Sequence, residues 1–299
     1  MFTVTLLTDP NTKTLTHRMV ENLRSAWGGD QTRWLSPKEA AEFSIERLPD
    51  NQWSVWEDLQ GLQIDLCVQK SDARKKKILI ADMDSTMIAQ ECIDELAVVA
   101  GVGEQVAEVT RIAMDGGMDF VEALNARLSL MAGADQRIID DVLRTRIDFV
   151  SGGSTLLATM KANGGYSALV SGGFTAFAGP ISSALGFDEF TANVLAVSEG
   201  KLTGTIVGDA VGKQTKVDRL MALCREHNVN ETDVIAVGDG ANDLGMLSLA
   251  GTGVALHAKP SVAAQCDIRI NFGNLTSLLY LQGYSSDDFV AAPSPTLDA

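Results

Sequence analysis

The sequence predicts an α/β protein: a doubly wound parallel sheet with a helical cap insertion, preceded by a small α+β domain. Three observations carry that expectation. Short apolar runs ILIA, YSALV and VIAV each lead into a polar turn and then a helix-like segment, the sequence form of βα units. Some 65 residues between the first two runs have helical spacing almost throughout, too long for an ordinary crossover. Charge also divides the chain, since residues 1–77 carry 11 basic and 11 acidic side chains, and the remainder accounts for the whole formal charge of −15.

Taken in order, 2–7 alternates as a strand, 15–27 has helical spacing, and strand-like runs follow at 54–59 and 62–68. All four tryptophans, Trp27, Trp34, Trp53 and Trp56, fall in this part. The polar, basic stretch 71–77 reads as a linker, which places a first domain at 1–72 and a larger unit at 73–285. In the larger unit the strand ILIA precedes Asp82, and the cap spans about 88–150 with helices over 104–114, 119–131 and 136–150. EGKLTGTIV at 199–207 has the alternation and glycines of a β-hairpin. A helix opening at Lys216 has an apolar side of Val217, Leu220, Met221, Leu223 and Cys224. Residues 286–299 read as a flexible tail.

Composition narrows the function. With 45% hydrophobic and 21% charged residues in 299, the chain is neither disordered nor a coiled coil. Its negative charge disfavours nucleic acid as a partner. The four cysteines are irregularly spaced without a CxxC pair, as in reduced intracellular proteins. No segment approaches the roughly 20 apolar residues of a membrane span, and the amino terminus lacks a basic n-region. The expectation is a cytoplasmic protein acting on a small molecule, without membrane contact, as a monomer or a homodimer.

Chemistry gathers at three strand ends. Asp82 and Asp84 follow the first strand at a spacing that lets one carboxylate aim along the strand and the other across its mouth; alone, they could be an Asp-rich turn capped by Ser85 or Thr86. Ser171-Gly172-Gly173 offers a hydroxyl and free backbone N–H groups suited to a phosphate oxygen. Gly238-Asp239-Gly240-Ala241-Asn242-Asp243 adds two carboxylates and an amide. A parallel sheet brings all three loops to one edge although they lie up to 157 positions apart. Asp82, Asp84, Asp239 and Asp243 would then crowd a small volume and raise one another's pKa, a conflict that a divalent cation resolves. All-oxygen donors with room for water and phosphate point to Mg²⁺. Lys216, with Lys213 as the competing candidate, could supply a fixed positive charge at the same edge.

DMDST at 82–86, SGG at 171–173, Lys216 and GDGAND at 238–243 resemble the three motif groups of the haloacid-dehalogenase (HAD) superfamily phosphotransferases, and most closely its phosphoserine-hydrolysing branch. The resemblance covers about 75–280 and implies a HAD-like Rossmannoid core. It implies Asp82 as nucleophile, forming an aspartyl-phosphate, and Asp84 as general acid and then base. It implies Mg²⁺ held by Asp82, Asp239 and the backbone carbonyl of Asp84, and the phosphoryl group held by Ser171, Gly172, Lys216 and Asn242. In the cap, Glu91 and Arg127 fall where such enzymes grip the ammonium and carboxylate of phosphoserine, with Met114 and Phe120 as apolar neighbours; read from the residues alone, both are helical surface positions. Met83 stands where the family usually has Phe, a tolerable exchange at a buried apolar site. The competing readings are a phosphotransferase or phosphatase for another small phosphate, a phospho-aspartate signalling module, and an amino-acid sensor. For the last, residues 1–72 are similar to an ACT-type regulatory domain, without a motif to carry the likeness.

Overall fold

The computed structural model describes residues 1–114 and 117–297, apart from the Met114 side chain. Two sheets organise the chain. The first has four antiparallel strands in the order β2-β3-β1-β4, built from β1 (Phe2–Leu7), α1 (His17–Ala26), β2 (Arg33–Ser36), β3 (Ala40–Ile45), α2 (Gln52–Gln60) and β4 (Asp65–Lys70). This is the β-α-β-β-α-β order of ferredoxin-like units. The strand-like run at 54–59 is part of α2, where Val55, Trp56 and Leu59 pack on the small core at helical spacing. Strands β2 and β3 escaped the sequence pattern because both carry polar residues that turn inward. Glu39, in the turn before β3, and Glu42 within it are buried, the former accepting from Tyr280 at 2.9 Å and the latter from Arg74 at 2.6 Å.

The second sheet has seven strands in the order β11-β10-β9-β5-β6-β7-β8. Its strands are β5 (Ile78–Ala81), β6 (Tyr166–Phe174), β7 (Glu189–Ser198), β8 (Lys201–Val207), β9 (Val234–Gly238), β10 (Thr252–Leu256) and β11 (Ile268–Ile270). All pair in parallel except the β7–β8 hairpin. Its first strand begins ten residues before the 199–207 segment that marked it in the sequence. β5 is central and apolar throughout, as a strand covered on both faces must be. Its alternate residues feed two cores: Leu79 and Ala81 join Leu169, Ile235 and Val237 on one face, and Ile78 and Ile80 join Ala168, Val170 and Val234 on the other.

The cap lies between β5 and β6 and consists of α3 (Cys92–Val99), α4 (Gly103–Met114), α5 (Phe120–Leu130) and α6 (Ile138–Thr145). Its entry and exit strands run side by side: Ala89 N–H donates to Asp148 O at 2.9 Å and Val150 N–H to Met87 O at 3.0 Å. The segment after α5 is stitched to the hairpin, since Gly133 and Gln136 donate to Leu202 O and Gly200 O, and Leu202 donates back to Ala134 O. Gly204 is needed there; its φ is +83° and a Cβ would meet Ala132 Cβ at 3.0 Å and Leu128 O at 3.1 Å.

The remaining helices are α7 (Gly153–Ala162), α8 (Thr175–Leu185), α9 (Lys213–Glu226), α10 (Leu244–Leu249), α11 (Pro260–Ala263) and α12 (Ser277–Leu281). The chain after 286 sets Phe289 and Leu297 against the larger core, and Val290 N–H donates to Thr159 Oγ1 at 2.9 Å. The small sheet docks on the last strand and helix. Asp65 accepts from the N–H groups of Asn271, Phe272 and Gly273 at 2.8–3.0 Å, and Gln69 donates to Leu281 O at 2.7 Å. No described helix is long and apolar enough to cross a membrane, and all four cysteines are free and buried.

Candidate active site

The three motif strands are neighbours, in the order β9-β5-β6, so their carboxyl ends open side by side. Asp82 continues β5: its N–H donates to Val237 O at 3.0 Å, and its Oδ1 accepts from Met83 N–H at 2.8 Å. The chain then turns sharply, with Ser85 at φ +55°, a costly conformation for a residue with a side chain. That turn sends the Asp84 carboxylate sideways, where it accepts from Cys92 N–H at 2.8 Å and from the Ser171 hydroxyl at 3.2 Å.

Lys216 sits at the centre of the site. Helix α9 starts at Lys213, so Lys216 lies inside the first turn and not at its opening, and Lys213 is exposed. The Lys216 side chain is completely buried, with Nζ 2.6 Å from Asp82 Oδ1 and 2.6 Å from Asp243 Oδ1. A buried ammonium is tolerable only with such partners. Burial alone would lower its pKa, but Asp82 and Asp243 overcome that and leave the net shift upward. Burial pushes the Asp82 carboxyl well up; Lys216 pulls against this, and Asp243 adds to it.

One oxygen each of Asp82, Asp239 and Asp243 falls within a 4.8 Å group, and all three residues are buried. Burial, then the charges of Asp243 and Glu91, raise Asp239 to about 6. A single ammonium therefore does not satisfy three clustered carboxylates, and the all-oxygen donor set fits a hard divalent cation. The glycines here serve close approach: a Cβ on Gly238 would lie 2.4 Å from Asp243 Cγ, and one on Gly240 would lie 2.3 Å from Asn242 Oδ1. Asp84 is raised to about 6 by burial first and then by the charge of Glu91. Its carboxylate belongs to the Ser171 side of the site, not to the three-carboxylate group.

The Ser171 loop is a bulged continuation of β6, with register lost between Val170 and Phe174. The Ser171 hydroxyl accepts from Gly173 N–H at 2.8 Å. Asn193 anchors the loop, an assignment the sequence did not reveal: its amide donates to Gly172 O at 2.8 Å and accepts from Val211 N–H at 2.7 Å. An Asn within an apolar strand pattern was the only signal. Phe120, the first residue of α5, overhangs the loop, and a Cβ on Gly172 would lie 3.4 Å from its ring. Glu91 precedes α3 and accepts from the Ser85 hydroxyl at 2.9 Å. Arg127, near the end of α5, is half-buried. Burial pulls its pKa down while Asp94 and Glu91 pull it up, which brings these three charges into one neighbourhood. Met114, the other apolar neighbour expected from the sequence, has its side chain outside the described residues.

Residues 79–248 match the haloacid dehalogenase-like hydrolase family. The chain belongs to that family. Among its members, the chain is 44% identical over 204 residues to phosphoserine phosphatase of Haemophilus influenzae, covering 68% of this chain and 65% of the relative. It thus spans just under two thirds of that relative's length. The structure of a probable phosphoserine phosphatase from Vibrio cholerae superposes with a TM-score of 0.77 at 32% identity, covering 94% of this chain and 86% of the other. A phospho-aspartyl intermediate analogue of phosphoserine phosphatase gives 0.64 at 36% identity, covering 69% and 98%. The family fold accounts for the parallel sheet, with the small antiparallel sheet as an added unit.

Proposed function

We propose that the protein is a cytoplasmic, Mg²⁺-dependent phosphatase that hydrolyses O-phospho-L-serine to L-serine and phosphate, the last step of serine biosynthesis. The observation that carries this reading is the placement of a charge-paired carboxylate, Asp82, at the end of the central strand, 2.6 Å from a buried lysine, beside the Ser171 loop. The family membership and the phosphoserine phosphatases among the relatives support it.

In the first half-reaction Asp82 attacks phosphorus and the serine oxygen leaves, giving an aspartyl-phosphate. Phosphoryl transfer asks mainly for positioning and for neutral surroundings around three equatorial oxygens. Lys216, the Ser171 hydroxyl, the Gly172 N–H and Asn242 would be the donors to those oxygens. An alkoxide leaves poorly, so Asp84 must give it a proton. Burial and the nearby Glu91 charge keep that carboxyl protonated further toward neutrality than an ordinary aspartate. Having lost the proton, Asp84 can take one from the water that hydrolyses the intermediate. Asp82, Asp239 and the Asp84 backbone carbonyl would hold Mg²⁺, with Asp243 alongside; the ion supplies charge neutralisation for an incoming dianion. Glu91 would receive the substrate ammonium, and Arg127 its carboxylate through a planar fork of donors.

The test is phosphate release from phosphoserine and from an aryl phosphate, with Mg²⁺ and after complete chelation. The expected result is Mg²⁺-dependent turnover with a strong preference for phosphoserine. Activity that survives chelation overturns the metal site, and equal turnover of both esters overturns the substrate.

A further inference from the structure

Asp94 lies one turn along α3 from Glu91 and is within electrostatic range of Glu91, Arg127 and Lys259. Its Oδ1 is buried and has no hydrogen-bond partner. An acidic residue in the first turn of a helix is ordinarily explained by the helix dipole, and solvent exposure is enough for that purpose. Glu95, the other acid of this turn, instead pairs with Arg146. A buried carboxylate oxygen without a donor costs its full desolvation, so the position calls for a donor in the working state of the enzyme.

Arg127 has the complementary deficit. Its Nε donates to Ala123 O of its own helix at 3.2 Å, and its terminal guanidinium nitrogens make no hydrogen bond among the described residues. A half-buried guanidinium on α5 with idle donors and a buried carboxylate oxygen on α3 with an idle lone pair thus lie within electrostatic range of each other. Each is the remedy for the other.

We propose that Asp94 is a positioning residue for Arg127: with substrate bound, its carboxylate accepts from one terminal nitrogen and fixes the plane of the guanidinium that reads the substrate's carboxylate. With Nε committed to Ala123 O and one nitrogen to Asp94, the remaining edge of the fork is the one presented to the ligand. The ligand class selected is a phosphate ester of an α-amino acid. The inference rests on the phosphoserine reading given above and deepens it.

The experiment compares O-phosphoserine with O-phosphoethanolamine, which keeps the ammonium and lacks the carboxylate, in wild type, Asp94→Asn, Arg127→Ala and the double variant. Asp94→Asn is expected to lower kcat/KM for phosphoserine about tenfold, chiefly through KM, and to change phosphoethanolamine by less than about twofold. In the Arg127→Ala background the same change should add almost nothing, and Asp94→Glu, which keeps the charge, should recover part of the loss. Equal losses on both substrates overturn the assignment, because a fold defect or an ammonium contact would produce them. So does full additivity in the double variant. A wild type with no preference for phosphoserine over phosphoethanolamine would instead overturn the substrate reading beneath it, whatever the cycle shows.

Discussion

Replacing Asp84 by Asn should make the metal-free protein more stable while removing its turnover. The amide keeps the shape and the contacts: its oxygen can accept from Cys92 N–H, and its nitrogen can donate to the Ser171 hydroxyl oxygen. What it removes is an ionisable group raised from 3.8 to about 6. For a group raised on folding, the favourable contribution is present below the unfolded value and is lost as pH rises through the folded one. At pH 8 the loss corresponds to about 2–3 kcal/mol, since each pKa unit is worth about 1.4 kcal/mol. Asn does not titrate, so the variant should exceed wild type by about that amount at pH 8 and by about half of it at pH 5. Urea unfolding in chelator at the two pH values measures this directly. A variant less stable than wild type, or an advantage that does not shrink toward pH 5, would refute the claim that burial of this carboxyl is a standing cost of the site. The kinetic arm uses esters of differing leaving-group acidity: loss of a proton donor costs roughly 10²–10⁴ in rate with an alkyl leaving group and far less with an aryl one.

Lys216→Met should destabilise the protein by about 3–5 kcal/mol, because it leaves Asp82 and Asp243 buried face to face. Urea unfolding should show most of that loss regained on adding Asp243→Asn, and additive losses would count against the pairing. Asp82→Asn should fold and bind metal more weakly, with turnover essentially abolished; substantial activity in a verified preparation would remove Asp82 from the nucleophile role. Gly173→Ala would place a Cβ 2.7 Å from Asp84 Oδ2 and 3.0 Å from Ser171 Oγ. It should depress kcat with phosphoserine by about 10² or more while the circular dichroism spectrum stays native; an unaffected kcat would show that Asp84 can move without consequence.

Much of the large sheet was legible because its central strands are fully covered and therefore read as unbroken apolar runs, as in Ile78–Ala81. The small sheet was harder. Its strands β2 and β3 hide polar residues whose partners lie in another part of the chain, as Glu42 does with Arg74, and no local pattern announces that. Trp53 preceded, and Trp56 fell within, a run that looked extended, yet they are three apart on one helix and meet edge to face at 6.1 Å. Within the site, motif residues could be picked out by their turn chemistry at strand ends. Asn193 and Asp94 could not, because their roles depend on which elements face them after folding. The depth of Lys216 was equally hidden, since only the two carboxylates from distant strand ends make a fully buried lysine affordable.

The docking of the small sheet has a consequence for biosynthesis. Asp65 and Glu39 find their partners more than 200 positions downstream, at Asn271–Gly273 and Tyr280. A chain made at about 5–20 residues per second exposes residues 1–70 to solvent for at least about ten seconds before those partners emerge from the ribosome. During that interval Asp65 has no N–H cradle, and the apolar residues Leu7, Leu35 and Cys67, which end up against the larger core, have nothing to cover them. The small sheet, made before its partners, is thus completed only after them. A truncation that removes the chain from Asn271 onward should strand it in that unfinished state, with the catalytic strands complete and the small sheet undocked.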